Sequence, residues 1–204
     1  MSLSCGYRLL LGGLRRWSTA STACPVEPAP AAKPASTTPH PLVGQDVKKS
    51  DVSLRAVDGE VLSTASLLSN KTVVLFGLPG AFSPTCSNKH VPAFIDQAPT
   101  LKAKGVDLIA CVSINDRFVM DAWGNHLNVG DAVEMLSDYD GSFVKALGLT
   151  VDLSAVGLGL RSKRFSLLLK DGRVVHAEVE ESPGEYKVSG PEPILARLQA
   201  DASN

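Results

Sequence analysis

Residues Thr72 to Cys86 read TVVLFGLPGAFSPTC. The apolar run from Thr72 to Leu78 has strand length, lacks polar alternation and is bounded by Asn70 and Pro79, the pattern of a strand covered on both faces at the centre of a sheet. Pro79-Gly80-Ala81-Phe82-Ser83-Pro84 follows as a loop stiffened by prolines. Thr85 to Lys104 then reads as helical, with Pro92 inside it and Pro99 predicted to bend or divide it. In open α/β sheets the reactive crevice lies beyond the carboxyl ends of the strands, where such a loop feeds a helix N-terminus. Cys86 falls in the first turn of that helix.

Upstream, Asp51 to Val57 reads as a strand turned by Asp58-Gly59 into Val61-Leu62, and Ser66-Leu67-Leu68 as a short helical turn. Downstream, Val106 to Ser113 (VDLIACVS) is a second buried strand, and Asn115-Asp116 caps a helix carrying Phe118, Val119, Ala122, Trp123 and Leu127 on one face. Val133 to Leu136 is a short strand and Ser142 to Leu147 a short helix. Arg164 to Lys170 turns through Asp171-Gly172 into Arg173 to Glu180 as a hairpin, and Pro191 to Leu198 is a final helix. The order β-β-β-α-β-α-β-α-β-β-α predicts an α/β fold of thioredoxin-like type, with a mixed central sheet flanked by helices. No internal repeat is visible, so residues 41–204 are read as one domain.

The first 40 residues differ in kind. Arg8, Arg15, Arg16 and Lys33 face the single acid Glu27, a net +3, within a chain whose 20 Lys+Arg and 21 Asp+Glu give −1; residues 41–204 therefore carry −4. Tyr7, Leu9, Leu10, Leu11 and Leu14 interleave with the arginines, and Ser/Thr/Ala/Pro-rich sequence follows, the composition of an organelle-targeting leader. Gly12-Gly13 and Arg15-Arg16 interrupt the apolar core that a secretory signal needs. Arg16-Trp17-Ser18 resembles the end of a matrix-targeting presequence, so the mitochondrial matrix is the expected location, with the plastid as alternative. A disordered basic tail is the plainer reading of residues 1–40.

The near-neutral balance gives no reason to expect nucleic acid as a partner. No apolar run approaches the roughly 20 residues of a membrane-spanning helix. Cys5 and Cys24 lie in the leader and no pair forms C-x-x-C, so thiol chemistry rests on Cys86 and Cys111. A cysteine attacks as thiolate, and with an unperturbed pKa of about 8.5 little of it is ionised at neutral pH. The first helical turn offers Cys86 free backbone N–H groups and the positive dipole end, which favour the anion. Ser83, three residues earlier, places a hydroxyl where it can donate to the thiolate or to a substrate oxygen. The same spacing is compatible with a small buried thiol in a proline-containing loop.

The segment FGLPGAFSPTCSNKHVPAF closely resembles the active-site segment of the type II (type 5-like) peroxiredoxins, in which a proline, a Thr or Ser hydroxyl and the peroxidatic cysteine form P-x-x-x-(T/S)-x-x-C. Pro79, Ser83 and Cys86 occupy those positions. The likeness runs from about Val43 to Leu198, includes KAKGVDLIACVSINDRFVMDAWG and GLGLRSKRFSLLLKDG, and is to plant-like organellar forms. It implies a thioredoxin-fold thiol peroxidase of antioxidant defence that reduces hydrogen peroxide and alkyl hydroperoxides through a Cys86 sulfenic acid, with no metal or organic cofactor. It also implies a site arginine opening the late strand. Arg164, before Phe165-Ser166, takes that place, with Arg161 the neighbour to exclude and a solvated strand-end charge the bland alternative.

Cys111, in a buried strand, is either a core thiol or the resolving cysteine. The plant-like branch of the family uses a cysteine at this spacing for an intramolecular disulfide; the animal branch uses one nearer the C-terminus, and Tyr186-Lys187-Val188-Ser189-Gly190 has none. If Cys111 resolves, the Cα atoms are predicted to exceed the roughly 7 Å bridging limit when reduced, and the helix after Pro84 must unwind locally. The runner-up is a one-cysteine cycle in which glutathione, with glutaredoxin, attacks the sulfenate; thioredoxin is the other candidate reductant. His90, four residues after Cys86 and able to share its helix face, either tunes the site or serves packing, with packing the expected role. The family implies a homodimer through the face near the site, where Phe82 serves either the interface or the peroxide pocket. A non-catalytic redox sensor relaying oxidation to partner proteins is the alternative function.

Overall fold

The computed structural model describes residues 39–50 and 52–203; the leader expected over residues 1–40 lies almost wholly outside them. A 3-10 turn, Val47–Ser50, precedes β1 (Ser53–Ala56), which Asp58-Gly59 turns back into β2 (Val61–Ser63). Ser63 Oγ accepts the Ser66 N–H at 3.1 Å and so caps α1 (Thr64–Leu68). β3 (Thr72–Gly77), α2 (Val91–Ala103), β4 (Leu108–Ser113), α3 (Arg117–Leu127), β5 (Glu134–Ser137) and α4 (Ser142–Ala146) follow in alternation. β6 (Thr150–Asp152) and β7 (Leu160–Ser162) form a small separate ribbon before the hairpin β8 (Phe165–Lys170) and β9 (Arg173–Val179), and α5 (Pro191–Ala202) comes last.

The main sheet has the strand order β2-β1-β5-β4-β3-β8-β9. β3, β4 and β5 are mutually parallel, and the remaining pairs are antiparallel. Side chains alternate across a strand, so the uniformly apolar β3 is divided between two cores. Val73 and Leu75 join Leu54, Leu136 and Leu167 beneath α1 and α4, while Val74 and Phe76 join Cys111, Leu168, Phe94, Trp123 and Ile194 beneath α2, α3 and α5. Cys86 belongs to this second core. The mixed sheet with helices on both faces is the one predicted from the order of elements.

Topology then brings three segments to one edge. Parallel β3 and β4 end on the same side, so the loop after Gly77 meets Asn115 after β4. β8 runs antiparallel to β3, pairing its first residue, Phe165, with Gly77, so Arg164 arrives at that edge as well. Gly77 permits this pairing, because a Cβ there would overlap the Phe165 ring.

Several features depart from the sequence reading. The stretch predicted as one helix opens with a π-helical turn, Cys86–His90, closed by the Val91 N–H donating to the Cys86 carbonyl. Pro92 has no N–H and its ring crowds the carbonyl of Asn88, so a regular α turn cannot pass through it and a wider turn accommodates it. Pro99, predicted to bend or divide the helix, leaves α2 unbroken to Ala103. It sits on the exposed flank, where a helix tolerates a missing bond. The β6–β7 ribbon carries little sequence signal, since its strands are three residues long and are joined through Gly157 and Gly159 at positive φ.

Candidate active site

Leu78 and Pro79 are buried at the end of β3, and the chain turns over Gly80 to Pro84. Asn115 holds this loop from the neighbouring strand: its Oδ1 accepts the Ala81 N–H at 3.0 Å and the Ser113 hydroxyl at 2.8 Å. Phe82 adopts φ +59°, a left-handed conformation that a bulky residue takes only under constraint. The residue is 53% exposed, and its ring lies 5.6 Å from that of His126 and 6.3 Å from that of Trp123. Ser83 Oγ donates to the Gly80 carbonyl at 2.9 Å. In this state the hydroxyl hydrogen expected to serve the thiolate or a substrate oxygen is engaged within the loop, and the oxygen lone pairs are what remain. The Ser83 carbonyl accepts the Ser87 N–H at 2.9 Å, which starts the helix and carries Cys86, fully buried, into place.

Arg164 lies in the link between β7 and β8 and is 2% exposed. Its Nη1 donates to Cys86 Sγ at 3.3 Å and to His90 Nδ1 at 3.2 Å, and its Nη2 donates to the Pro183 carbonyl at 2.9 Å. Nε is buried and has no acceptor among the described residues, and no ion pair among those residues involves Arg164. Arg161 points its donors elsewhere, to the carbonyls of Ile114 at 3.0 Å and Leu158 at 2.8 Å.

His90 does more than pack. It is fully buried, with the rings of Phe76, Tyr186 and Phe94 within 5.6 Å of its own. A guanidinium N–H cannot accept, so Nδ1 is the acceptor and Nε2 carries the hydrogen, donated to the Ser189 carbonyl at 3.0 Å. Burial, and after it the Arg164 cation, hold the imidazole pKa down to about 3, so it is neutral at physiological pH. The spacing of four residues from Cys86 is the local signal of this role; the partner that fixes the ring, Ser189, lies 99 residues further along the chain.

Cys111 pairs in register with Phe76 on β3 and Met135 on β5, on the core face that also holds Cys86. Both thiols are free and buried. Burial, reinforced by Cys86 and opposed by Arg164, pushes the Cys111 thiol well above its ordinary value, so it is protonated in this state. The π turn has further tethers: Trp123 Nε1–H donates to Ser87 Oγ at 3.1 Å, and the Thr85 hydroxyl to the Gly184 carbonyl at 3.4 Å. Pro79, Ser83, Cys86 and Arg164 thus meet at one edge of the sheet, with Cys111 on the same face of β4. Among the described residues no group of His, Cys, Asp and Glu is disposed to hold a metal ion.

The redoxin family profile matches residues 29–195. Peroxiredoxin-2C of Oryza sativa subsp. japonica is 51% identical over 152 residues, which is 72% of this chain and 93% of that protein. The mitochondrial Peroxiredoxin-2F and the chloroplastic Peroxiredoxin-2E of Arabidopsis thaliana are each 46% identical, over 66% and 69% of this chain and 67% and 61% of theirs. The solved structure of reduced Prx3 from Vibrio vulnificus in complex with hydrogen peroxide is similar at a TM-score of 0.71 and 45% identity, covering 76% of this chain and 98% of that one. A match of this breadth, running through a proline loop that delivers a buried cysteine to a guanidinium, places the chain in the redoxin family as a type II peroxiredoxin, a thiol peroxidase of thioredoxin-like fold.

Proposed function

We propose that this protein reduces hydrogen peroxide and alkyl hydroperoxides at Cys86 and is returned to the thiol by glutaredoxin with glutathione or by thioredoxin. The observation that carries the reading is the 3.3 Å contact from Arg164 Nη1 to Cys86 Sγ. A buried cation without a carboxylate partner calls for an anion beside it, and a thiolate supplies one at the atom that must attack. The sulfur attacks the terminal oxygen of ROOH: the S–O bond forms as O–O breaks, the electron pair leaves on the other oxygen, and that oxygen takes a proton to depart as alcohol or water. Cys86 is left as the sulfenic acid. Ser83 Oγ suits acceptance of the peroxide hydrogen, and the Arg164 Nε–H is a donor left over for an oxygen. The guanidinium can follow negative charge from sulfur to the departing atom.

Stopped-flow peroxide reduction tests this. Cys86→Ser is expected to abolish the reaction. Arg164→Ala is expected to lower the second-order rate constant by about two to three decades, the worth of one well-aimed donor, about 3–4 kcal/mol. An Arg164→Ala rate equal to wild type removes Arg164 from the mechanism.

Cys111 is read as the resolving thiol: its sulfur attacks the sulfur of the Cys86 sulfenic acid, the S–S bond forms as S–O breaks, and the hydroxyl leaves with the thiol proton as water. Support comes from its place on the same core face; because both sulfurs are buried, the Cys86–His90 turn must unwind to bring them together. Peptide mapping without reductant after peroxide treatment is expected to yield a Cys86–Cys111 peptide, absent in Cys111→Ser. Because burial keeps Cys111 protonated, the disulfide is expected to form faster as pH rises above neutral. A wild-type map lacking that peptide removes Cys111 from the mechanism and leaves the sulfenic acid to an external thiol such as glutathione. The half-exposed Phe82 supports a homodimer through this face, and the basic leader supports the mitochondrial matrix, with the plastid as alternative.

A further inference from the structure

Residues 181–190, between β9 and α5, form a strap over the Cys86 turn. Its carbonyls accept from the Thr85 hydroxyl at Gly184, from Arg164 Nη2 at Pro183 and from His90 Nε2 at Ser189. The strap is itself held by one side chain. Glu180 is 5% exposed, and its Oε1 accepts the N–H groups of Lys187 at 2.7 Å, Val188 at 2.9 Å and Ser189 at 3.0 Å, together with the Ser189 hydroxyl at 2.9 Å. Successive backbone N–H groups converging on one point form an anion-selective nest. Burial pushes the Glu180 carboxyl up, but these donors together outweigh it and hold it below its ordinary value. The Glu180 N–H also donates to the Arg164 carbonyl at 2.9 Å, so one residue grips the arginine backbone and the strap.

The chain of dependence continues inward. A fixed Ser189 carbonyl takes the hydrogen of His90 Nε2 and leaves Nδ1 as a lone pair. That lone pair takes one hydrogen of Arg164 Nη1, and Cys86 Sγ takes the other.

We propose that Glu180 is a positioning residue of the peroxidase site: by fixing the Ser189 carbonyl it selects the His90 tautomer, and through His90 it aims the Arg164 guanidinium at Cys86. This rests on the reading of Cys86 and Arg164 as the peroxide-reducing pair. The sign of one effect separates positioning from a bare field. Glu180 is an anion, and through space alone its removal would favour negative charge on sulfur and speed the reaction. Loss of positioning does the opposite.

The test compares Glu180→Ala, Glu180→Gln, His90→Leu, His90→Asn and the Glu180→Ala/His90→Leu pair with wild type and Cys86→Ser. Hydrogen peroxide reduction and iodoacetamide alkylation of Cys86 at pH 7 are the readouts, with urea unfolding to confirm the fold. Glu180→Ala is expected to slow both reactions about tenfold or more, with Glu180→Gln, which keeps an acceptor oxygen, in between. The double variant is expected to fall within about twofold of the slower single variant, since both cut one chain. His90→Asn, whose carbonyl oxygen can still face Nη1, should recover most of the rate lost in His90→Leu. A folded Glu180→Ala at or above the wild-type rates overturns the proposal, as do losses that multiply in the pair. Should Glu180→Ala not fold, equal losses in His90→Asn and His90→Leu overturn it. A wild-type protein as inert as Cys86→Ser would instead overturn the peroxidase reading.

Discussion

At His90 the protonation state follows from the neighbours rather than from solvent. The unfolded chain takes up a proton on this residue below about 6.5, whereas the folded site resists it down to about 3. Its contribution to stability is therefore fully present above pH 6.5 and is lost progressively as pH falls toward 3. Urea midpoints measured from pH 7 to pH 4 are expected to fall in the wild type and to fall less steeply in His90→Asn. His40 and His176 are also held below their ordinary values, so the difference between the two proteins, not the wild-type slope alone, reports on His90. Identical slopes would mean the neutral buried imidazole contributes nothing. Pro79, Ser83 and Cys86 were legible in the sequence because they lie in one short stretch. The hydrogen-bond partners of His90 were not, since Arg164 and Ser189 are brought near it only by the folded chain.

The elements divide in the same way. β3 and β4 are legible as continuous apolar runs, and the Asp58-Gly59 and Asp171-Gly172 turns announce their hairpins; Asp171 and Gly172 both take positive φ, as such a turn requires. The π turn is not legible, because it results from a conflict between Pro92 and the regular ladder rather than from any preference of Cys86 to His90. At the β3–β8 pairing the close approach rests on a missing side chain. Gly77→Ala drives a methyl group into the Phe165 ring, and overpacking of this kind is expected to cost about 1–3 kcal/mol in urea unfolding. Since Phe165 adjoins Arg164, the peroxide rate should fall with it. A variant matching wild type in both measurements would show that the ring moves aside freely.

For the whole molecule, the composition break near residue 40 divides a basic stretch from an acidic domain, a contrast of +3 against −4. A fusion carrying residues 1–40 ahead of a reporter is expected to enter isolated mitochondria, and Arg15→Glu/Arg16→Glu to prevent it; entry into chloroplasts alone would assign the plastid. Among the described residues no helix is long and apolar enough to cross a membrane. The placement of both sulfurs on the side of the sheet covered by α2, α3 and α5 has a mechanical meaning. A molecule with a thiol on each side would have to part its strands at every turnover. Under the proposed Cys86–Cys111 exchange, the seven strands stand behind both sulfurs as a bulkhead, and only the Cys86–His90 turn in front of them has to open and reclose.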